Sequence, residues 1–99
     1  MAIKKNGSMI GKYVVVRTYS AGVHFGVLAA KSGQEVTLTD ARRLWSWSGA
    51  FTLSEVSQTG ITGGKVSVAI PEIAIMQAIE VIPTSKEAEK CLRGSKAHR

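Results

Sequence analysis

The stretch from Tyr13 to Trp47 constrains the fold more than any other part of this 99-residue chain. It begins with the β-branched and aromatic run 13–19, and the segments 23–30 and 35–39 follow with alternating side chains. Such alternation is typical of strands, and the glycine-containing segments between the runs are typical of turns. The pattern therefore predicts a series of short antiparallel strands joined by tight turns.

Two features predict that these strands bend. Gly26 interrupts the second run, as glycine does at bulges and at the corners of barrels. The strand at 35–39 is expected to continue or bend through Asp40–Arg43 into Leu44-Trp45-Ser46-Trp47. The heart of the predicted fold is therefore a curved sheet and not a flat one.

Short elements complete the predicted domain. Thr52 and Glu55 fit a capping box for a helix over about 53–57, and 65–70 reads as a strand. Pro71 either ends that strand or marks it as an edge strand. The segment 73–78 fits a strand or a helical turn before a strand at 78–82, and both alternatives stay open.

A final helix is predicted over 86–93, with Thr84 or Ser85 as its cap and Gly94 at its end. The fold class predicted is mainly β: a small, strongly bent barrel of five or six strands, with one short internal helix and a C-terminal helix. A single domain over 12–93 is expected, between a flexible basic arm at 1–11 and a disordered basic tail at 94–99.

The net charge of +6 is concentrated at the two ends of the chain. Residues 1–12 contain three lysines and no acidic residue, and residues 86–99 contain five basic residues against two acidic ones. The segment between them carries equal numbers of basic and acidic residues, so the charge does not define a nucleic-acid groove. Basic arms that bind nucleic acid stay an alternative to arms that only aid solubility.

The remaining composition excludes several classes of site. No apolar run reaches the length of a membrane span, and the start lacks the apolar segment of a secretory signal. The single cysteine, Cys91, indicates a reducing compartment. With only His24 and His98 as histidines, neither a metal site nor a cofactor is expected.

Trp45 and Trp47 form the first candidate binding surface. Side chains two apart on a strand share one face, and Arg43 joins them if the strand extends back to it. Guanidinium and indole groups together stack planar bases and bind phosphate. The alternative is structural, with one tryptophan in the core and the other at a barrel mouth or a subunit contact.

The turn between the first two strands forms a second candidate. Arg17, Tyr19, Ser20 and His24 bring a guanidinium, a phenol, a hydroxyl and an imidazole close together, beside the backbone of Gly22. The alternative is a polar hairpin tip with His24 facing solvent. Ser20 and His24 could also pair as a nucleophile and its base. No third group to orient the base and no oxyanion elbow is recognisable, so no enzyme is expected.

Residues 22–44 resemble the first half of an Sm-like barrel, through Gly26-x-Leu28 and Val36-x-Leu38-x-Asp40-Ala41. This resemblance implies a bent five-stranded sheet and assembly into an oligomer. The RNA pocket of that family is not implied, because Lys31–Gln34 replaces its Asp and Asn, and Ala78–Ser85 lacks its Arg-Gly pair.

Three longer blocks, 14–26, 40–50 and 71–83, resemble a small phage and prophage protein family. This resemblance implies a viral origin and a location in the cytoplasm of a bacterial host, and it implies no activity.

The leading hypothesis is a non-enzymatic, homo-oligomeric phage protein that binds an anionic nucleotide-type ligand and sequesters a host defence signal. Its candidate site residues are Arg17, Tyr19, Ser20, His24, Arg42, Arg43, Trp45 and Trp47. The first alternative is a protein-interaction module, acting on a host defence protein or within a virion. The second is nucleic-acid binding by the basic arms.

Overall fold

Six strands and two helices are present in a computed structural model that describes residues 9–20, 22–49 and 52–97. In chain order they are β1 (Tyr13–Thr18), β2 (Val23–Ser32), β3 (Glu35–Ser48), α1 (Leu53–Thr59), β4 (Gly63–Val66), β5 (Ile70–Ile75), β6 (Ala78–Pro83) and α2 (Lys86–Arg93). The predicted fold class is confirmed: the domain is mainly β, with a curled half-barrel sheet, a short internal helix and a C-terminal helix.

All strand pairs are antiparallel, and the sheet runs in the order β4-β3-β2-β1-β6. The 14-residue strand β3 is long enough to pair with three partners. Its first half pairs with β2 and β5, and its second half pairs with β2 and β4. Because β3 changes partners along its length, it forms the bend of the sheet.

Bulges produce this bend, and Gly26 lies at one of them. The register between β2 and β3 shifts between Phe25 and Val27, as the glycine predicted. A Cβ at Gly26 would lie 2.8 Å from the carbonyl oxygen of Thr39. Opposite it, Asp40 has a φ of 51°, which is unusual for a residue other than glycine. The two backbones can therefore approach only where β2 has no side chain.

The sheet is covered on both faces, so it separates two apolar clusters. Val15 and Phe25 belong to the cluster beneath α1 and α2, whereas Val14 and Val16 belong to the cluster against β5 and β6. Alternate residues of a strand point to opposite faces, and here both faces are apolar. We call the side with α1 and α2 the helix face. We call the other side the open face, because no residue of the two described helices belongs to its cluster.

Arg42 fastens α2 to the sheet. Its Nε donates to the carbonyl of Ser67, and its Nη1 donates to the carbonyls of Leu92 and Arg93 at the end of the helix. The last carbonyls of a helix have no partner within the helix, so a buried guanidinium stabilises them. At the other end of the helix, the Ser85 hydroxyl accepts from the amide of Ala88, which confirms Ser85 as the cap.

The predicted strand 65–70 is wrong in its extent. The chain pairs as β4 only to Val66, because the amide and carbonyl of Ser67 bond to the two arginines of β3. A new strand, β5, begins at Ile70 and includes Pro71, and it pairs only with β3 among the described residues. Of the two alternatives for 73–78, the structure has the strand. It continues to Ile75 and is followed by a bend at 76–77 before β6.

The ends of the folded body extend beyond 12–93. The amide of Gly11 donates to the carbonyl of Leu28, and Met9 packs against the open-face cluster. At the other end, Ala97 forms a parallel bridge with Val66, in the segment expected to be a disordered tail. The rest of the two basic segments, 1–8 and 98–99, lies outside the described residues. Both described helices are too short to cross a membrane.

Candidate functional site

The two faces of the sheet divide the candidate residues into two groups. Arg17 pairs with Val23 of β2, which packs on the helix face, whereas His24 pairs with Val16, which packs on the open face. The sequence predicted that the turn brings Arg17 and His24 together. This prediction is wrong, because the two side chains lie on opposite faces of the sheet. Adjacent strand residues point in opposite directions, so the turn supplies one side chain to each face.

Trp45 and Trp47 are separated in the same way, although a regular strand would place them together. The register between β3 and β4 shifts between Leu44 and Ser46, so Trp45 occupies a bulge. Leu44 and Trp47, three residues apart, consequently pack on the same helix-face cluster. Trp45 points to the other side, where 60% of its surface is exposed. The expected shared face of the two tryptophans is wrong, because a bulge reverses the alternation.

A cavity of about 580 Å³ lies on the helix face, between the β1–β2 turn and the start of α1. Its lining combines charged, aromatic and hydroxyl side chains: Arg17, Thr18, Tyr19, Ser20, Gly22, Val23, Trp47, Thr52, Leu53, Ser54 and Glu80. We call it the helix-side cavity. It collects four of the candidate residues, from two separate segments of the chain.

Arg17, Ser20 and Glu80 make only exposed polar contacts in this cavity. Arg17 pairs with Glu80 across β1 and β6 at 3.5 Å, and both side chains are about half exposed. The Ser20 hydroxyl donates to Oε1 of Gln77. Tyr19 is 78% exposed, while Trp47 is partly buried against the core. The cavity therefore offers a cation, an anion and two aromatic rings to a ligand.

Two adjoining hollows lie on the open face and share His24, Arg43 and Ile73 in their walls. The first, about 340 Å³, is completed by Ala74, Ile75, Met76 and Gln77. The second, about 180 Å³, is completed by Ala41, Arg42, Trp45, Ser67 and Ile70. We call the pair the His24 recess. No acidic residue is found among the described residues of its lining, in contrast to the helix-side cavity, which contains Glu80.

His24 is buried in the wall of this recess, with 2% of its surface exposed, and does not face solvent. Its Nε2 accepts a hydrogen bond from Nε of Arg43 at 3.2 Å. Because a guanidinium nitrogen can only donate, Nε2 carries no proton and the hydrogen of the neutral ring is on Nδ1. Nδ1 is buried and has no partner among the described residues.

Burial and the neighbouring Arg43 charge lower the pKa of His24 to about 4. Both effects disfavour the imidazolium, since burial removes water and the guanidinium repels a second positive charge. The ring is therefore neutral at physiological pH, and it presents a single donor to the interior.

Arg42 belongs to neither cavity as a free cation. Three backbone carbonyls accept from its guanidinium, and only 8% of the residue is exposed. We therefore leave Arg42 out of the proposed ligand site, although it lies beside Arg43 in the sequence. The nucleophilic pairing of Ser20 with His24 is also not formed, because Ser20 bonds to Gln77 and His24 bonds to Arg43.

Several site residues were missed by the sequence analysis. Glu80 reaches the helix-side cavity only because β6 pairs with β1, which no local pattern reveals. Thr52 was recognisable as the cap of α1, and its hydroxyl does accept from the amide of Glu55. Its place in the wall of the cavity, beside Leu53 and Ser54, was not recognisable from the sequence. Ile73 and Met76 lie in a segment whose conformation was left open. No group of three or more potential metal ligands exists among the described residues.

Comparison with known proteins gives one match. A family model described as Domain of unknown function (DUF6948) matches residues 11–92, which include both cavities. No curated protein and no solved structure matches this chain. The match covers nearly all of the folded body, and the chain therefore belongs to the Domain of unknown function (DUF6948) family.

Proposed function

We propose that this protein binds a small anionic nucleotide-type ligand in the helix-side cavity and performs no chemistry on it. The observation that carries the proposal is that Arg17, Tyr19 and Trp47 line one cavity. A volume of about 580 Å³ falls within the range of about 300–1,000 Å³ in which proteins bind small molecules.

Each part of a nucleotide finds a chemical partner in this cavity. The Arg17 guanidinium forms charge-assisted hydrogen bonds with phosphate, at the expense of its exposed pair with Glu80. The freed Glu80 carboxylate then accepts from a sugar hydroxyl, as acidic residues do in dinucleotide sites. Tyr19 stacks on one face of the base and Trp47 contacts its edge or other face.

The proposal narrows the original set of site residues to Arg17, Tyr19, Ser20 and Trp47. Ser20 has a hydroxyl lone pair and a movable side chain that can turn from Gln77 toward the ligand. His24, Arg43 and Trp45 lie around the recess on the open face, so they are not partners of this ligand. A phage origin, self-association and sequestration of a host defence signal extend the proposal and stay predictions.

The test uses the two tryptophans as separate reporters. In the variant Trp45→Phe, Trp47 is the only tryptophan, so its fluorescence reports on the helix-side cavity alone. We would titrate this variant with mononucleotides, cyclic dinucleotides, larger cyclic oligonucleotides and short RNA. Native mass spectrometry of the unsubstituted chain would give the stoichiometry and the oligomeric state of the complex.

We expect one compound class to quench Trp47, and Arg17→Gln to weaken its binding about tenfold or more, since hydrogen bonds to charged groups contribute about 1.5–3 kcal/mol. Arg43→Gln is the matched control, because it removes an exposed arginine from the opposite face. Absence of binding from the whole pool, or equal affinity for the Arg17→Gln variant, would overturn the proposal. A stoichiometric host protein without a small ligand would favour the protein-interaction alternative.

A further inference from the structure

The His24 recess has features that the nucleotide proposal does not use. It combines an apolar wall from β5 and the following turn with one exposed cation, Arg43, and one buried imidazole. No carboxylate contacts Arg43 among the described residues, and only its Nε has a side-chain partner. Its two Nη atoms therefore have no side-chain partner in the described part of the chain, and no described residue of the recess lining is acidic.

The imidazole gives a second and independent indication of a ligand. Nδ1 of His24 carries the ring hydrogen but has no acceptor, although the side chain is almost completely buried. Leaving a buried donor unpaired is destabilising, so such groups are rare without a function. His24 lines both hollows, so a ligand held in the recess lies against its ring.

The rim of the recess is unusually apolar for a surface. Trp45 and Met76 are each 60% exposed, and Ile70 is also exposed, although all three are large hydrophobic residues. They lie at the two ends of the recess, with Ile73 between them. Scattered single residues of this kind are ordinary, but a contiguous set around a cation indicates a binding surface.

We propose that the His24 recess is a second binding site, for a carboxylate carried on an apolar chain. The carboxylate lies against the free guanidinium nitrogens of Arg43, which match its two oxygens, and the apolar chain covers Ile73 and Met76. An aliphatic chain suits the recess better than a phosphate-rich nucleotide, because Arg43 is its one exposed cation and most of the remaining lining is apolar.

A free aliphatic acid and the C-terminus of an apolar peptide share this chemistry. The test therefore uses decanoate and its neutral amide, together with acetyl-Leu-Val-Leu in its free-acid and C-terminally amidated forms. In the variant Trp47→Phe, Trp45 is the only tryptophan, so its fluorescence reports on the recess. Arg43→Gln and Met76→Ser remove the cation and one apolar wall, and Arg17→Gln is the control on the other face.

We expect at least one carboxylate to change the Trp45 signal, with about tenfold weaker binding to Arg43→Gln and no change for Arg17→Gln. Tighter binding of decanoate would identify a free acid as the source, and tighter binding of the free-acid peptide would identify a peptide terminus. Equal binding of acids and amides, or no response from Trp45, would overturn the proposal. Arg43→Lys, which keeps the charge and should retain part of the affinity, guards against a folding defect in Arg43→Gln.

Discussion

The helix face and the open face of this sheet each carry an arginine and a tryptophan, but these residues differ in burial and in partners between the two faces. Arg42 and Arg43 are neighbours in the sequence, yet Arg42 is buried under α2 with three carbonyl partners, whereas Arg43 is exposed beside His24. Trp47 packs on the helix-face core, whereas Trp45 lies open on the other face. The difference arises from strand alternation and one bulge, and it shows that adjacent identical residues in a strand can have unrelated roles.

The two arginines give the largest expected contrast. Arg42→Gln should lower the free energy of unfolding by about 3 kcal/mol or more, because it leaves buried carbonyls at the end of α2 without a charged donor. Arg43→Gln should cost about 1 kcal/mol or less, since the side chain is exposed and loses one hydrogen bond. Chemical denaturation of both variants measures the difference. Equal losses would mean that the assignment of faces is incorrect.

The second largest expected effect is a pH dependence of stability that arises from His24, which is buried on the open face. Its pKa is about 4 in the folded chain and about 6.5 when unfolded, so the unfolded state binds more protons between these values. The free energy of unfolding should therefore fall as the pH is lowered from about 6.5 to 4, by up to about 3 kcal/mol. Above that window the contribution is fully present.

Denaturation curves across this pH range would show the effect, with His24→Gln as the comparison. The variant lacks a titrating ring at this position, so its stability should vary less between pH 6.5 and 4. The same pH dependence in both proteins would show that His24 is not held neutral by its surroundings.

The tryptophans give a smaller contrast. Trp47→Ala should cost about 2 kcal/mol, because a partly buried indole leaves the helix-face cluster. Trp45→Ala should cost about 0.5 kcal/mol or less, as expected of an exposed side chain. Quenching by acrylamide should also be stronger for Trp45 than for Trp47, measured in the two single-tryptophan variants. A reversed order would contradict the bulge at Trp45.

Local patterns predicted the elements of this fold well, and the faces of the sheet poorly. The alternation in 13–39, the glycine at Gly26 and the capping residues of both helices identify strands, a bend and helix starts from neighbouring residues alone. The orientation of 40–47 depends instead on bulges opposite β2 and β4, which form through pairing between distant segments. A one-residue shift in register moves a side chain to the other face, so Trp45 and Trp47 were paired incorrectly.

The candidate site residues could be predicted where they are neighbours in the sequence, and not where strand pairing brings them together. Arg17, Tyr19 and Ser20 belong to one turn, so the sequence could group them. Glu80 joins them through the pairing of β1 with β6, and Ile73 reaches His24 through the pairing of β5 with β3. Such contacts between distant segments leave no pattern in a single sequence, which is why the residues of both candidate surfaces were assigned to one ligand, whereas the structure divides them between cavities on opposite faces.

If the two faces carry separate binding sites, the indole N–H signals of the unsubstituted chain will respond to the two ligands independently. The chain has two tryptophans, one at each site, so a proton–nitrogen correlation spectrum contains one reporter for each face. We predict that the nucleotide that binds shifts only the Trp47 signal, that decanoate shifts only the Trp45 signal, and that both ligands bind together. Displacement of one ligand by the other, or a shift of the opposite indole alone, would contradict it.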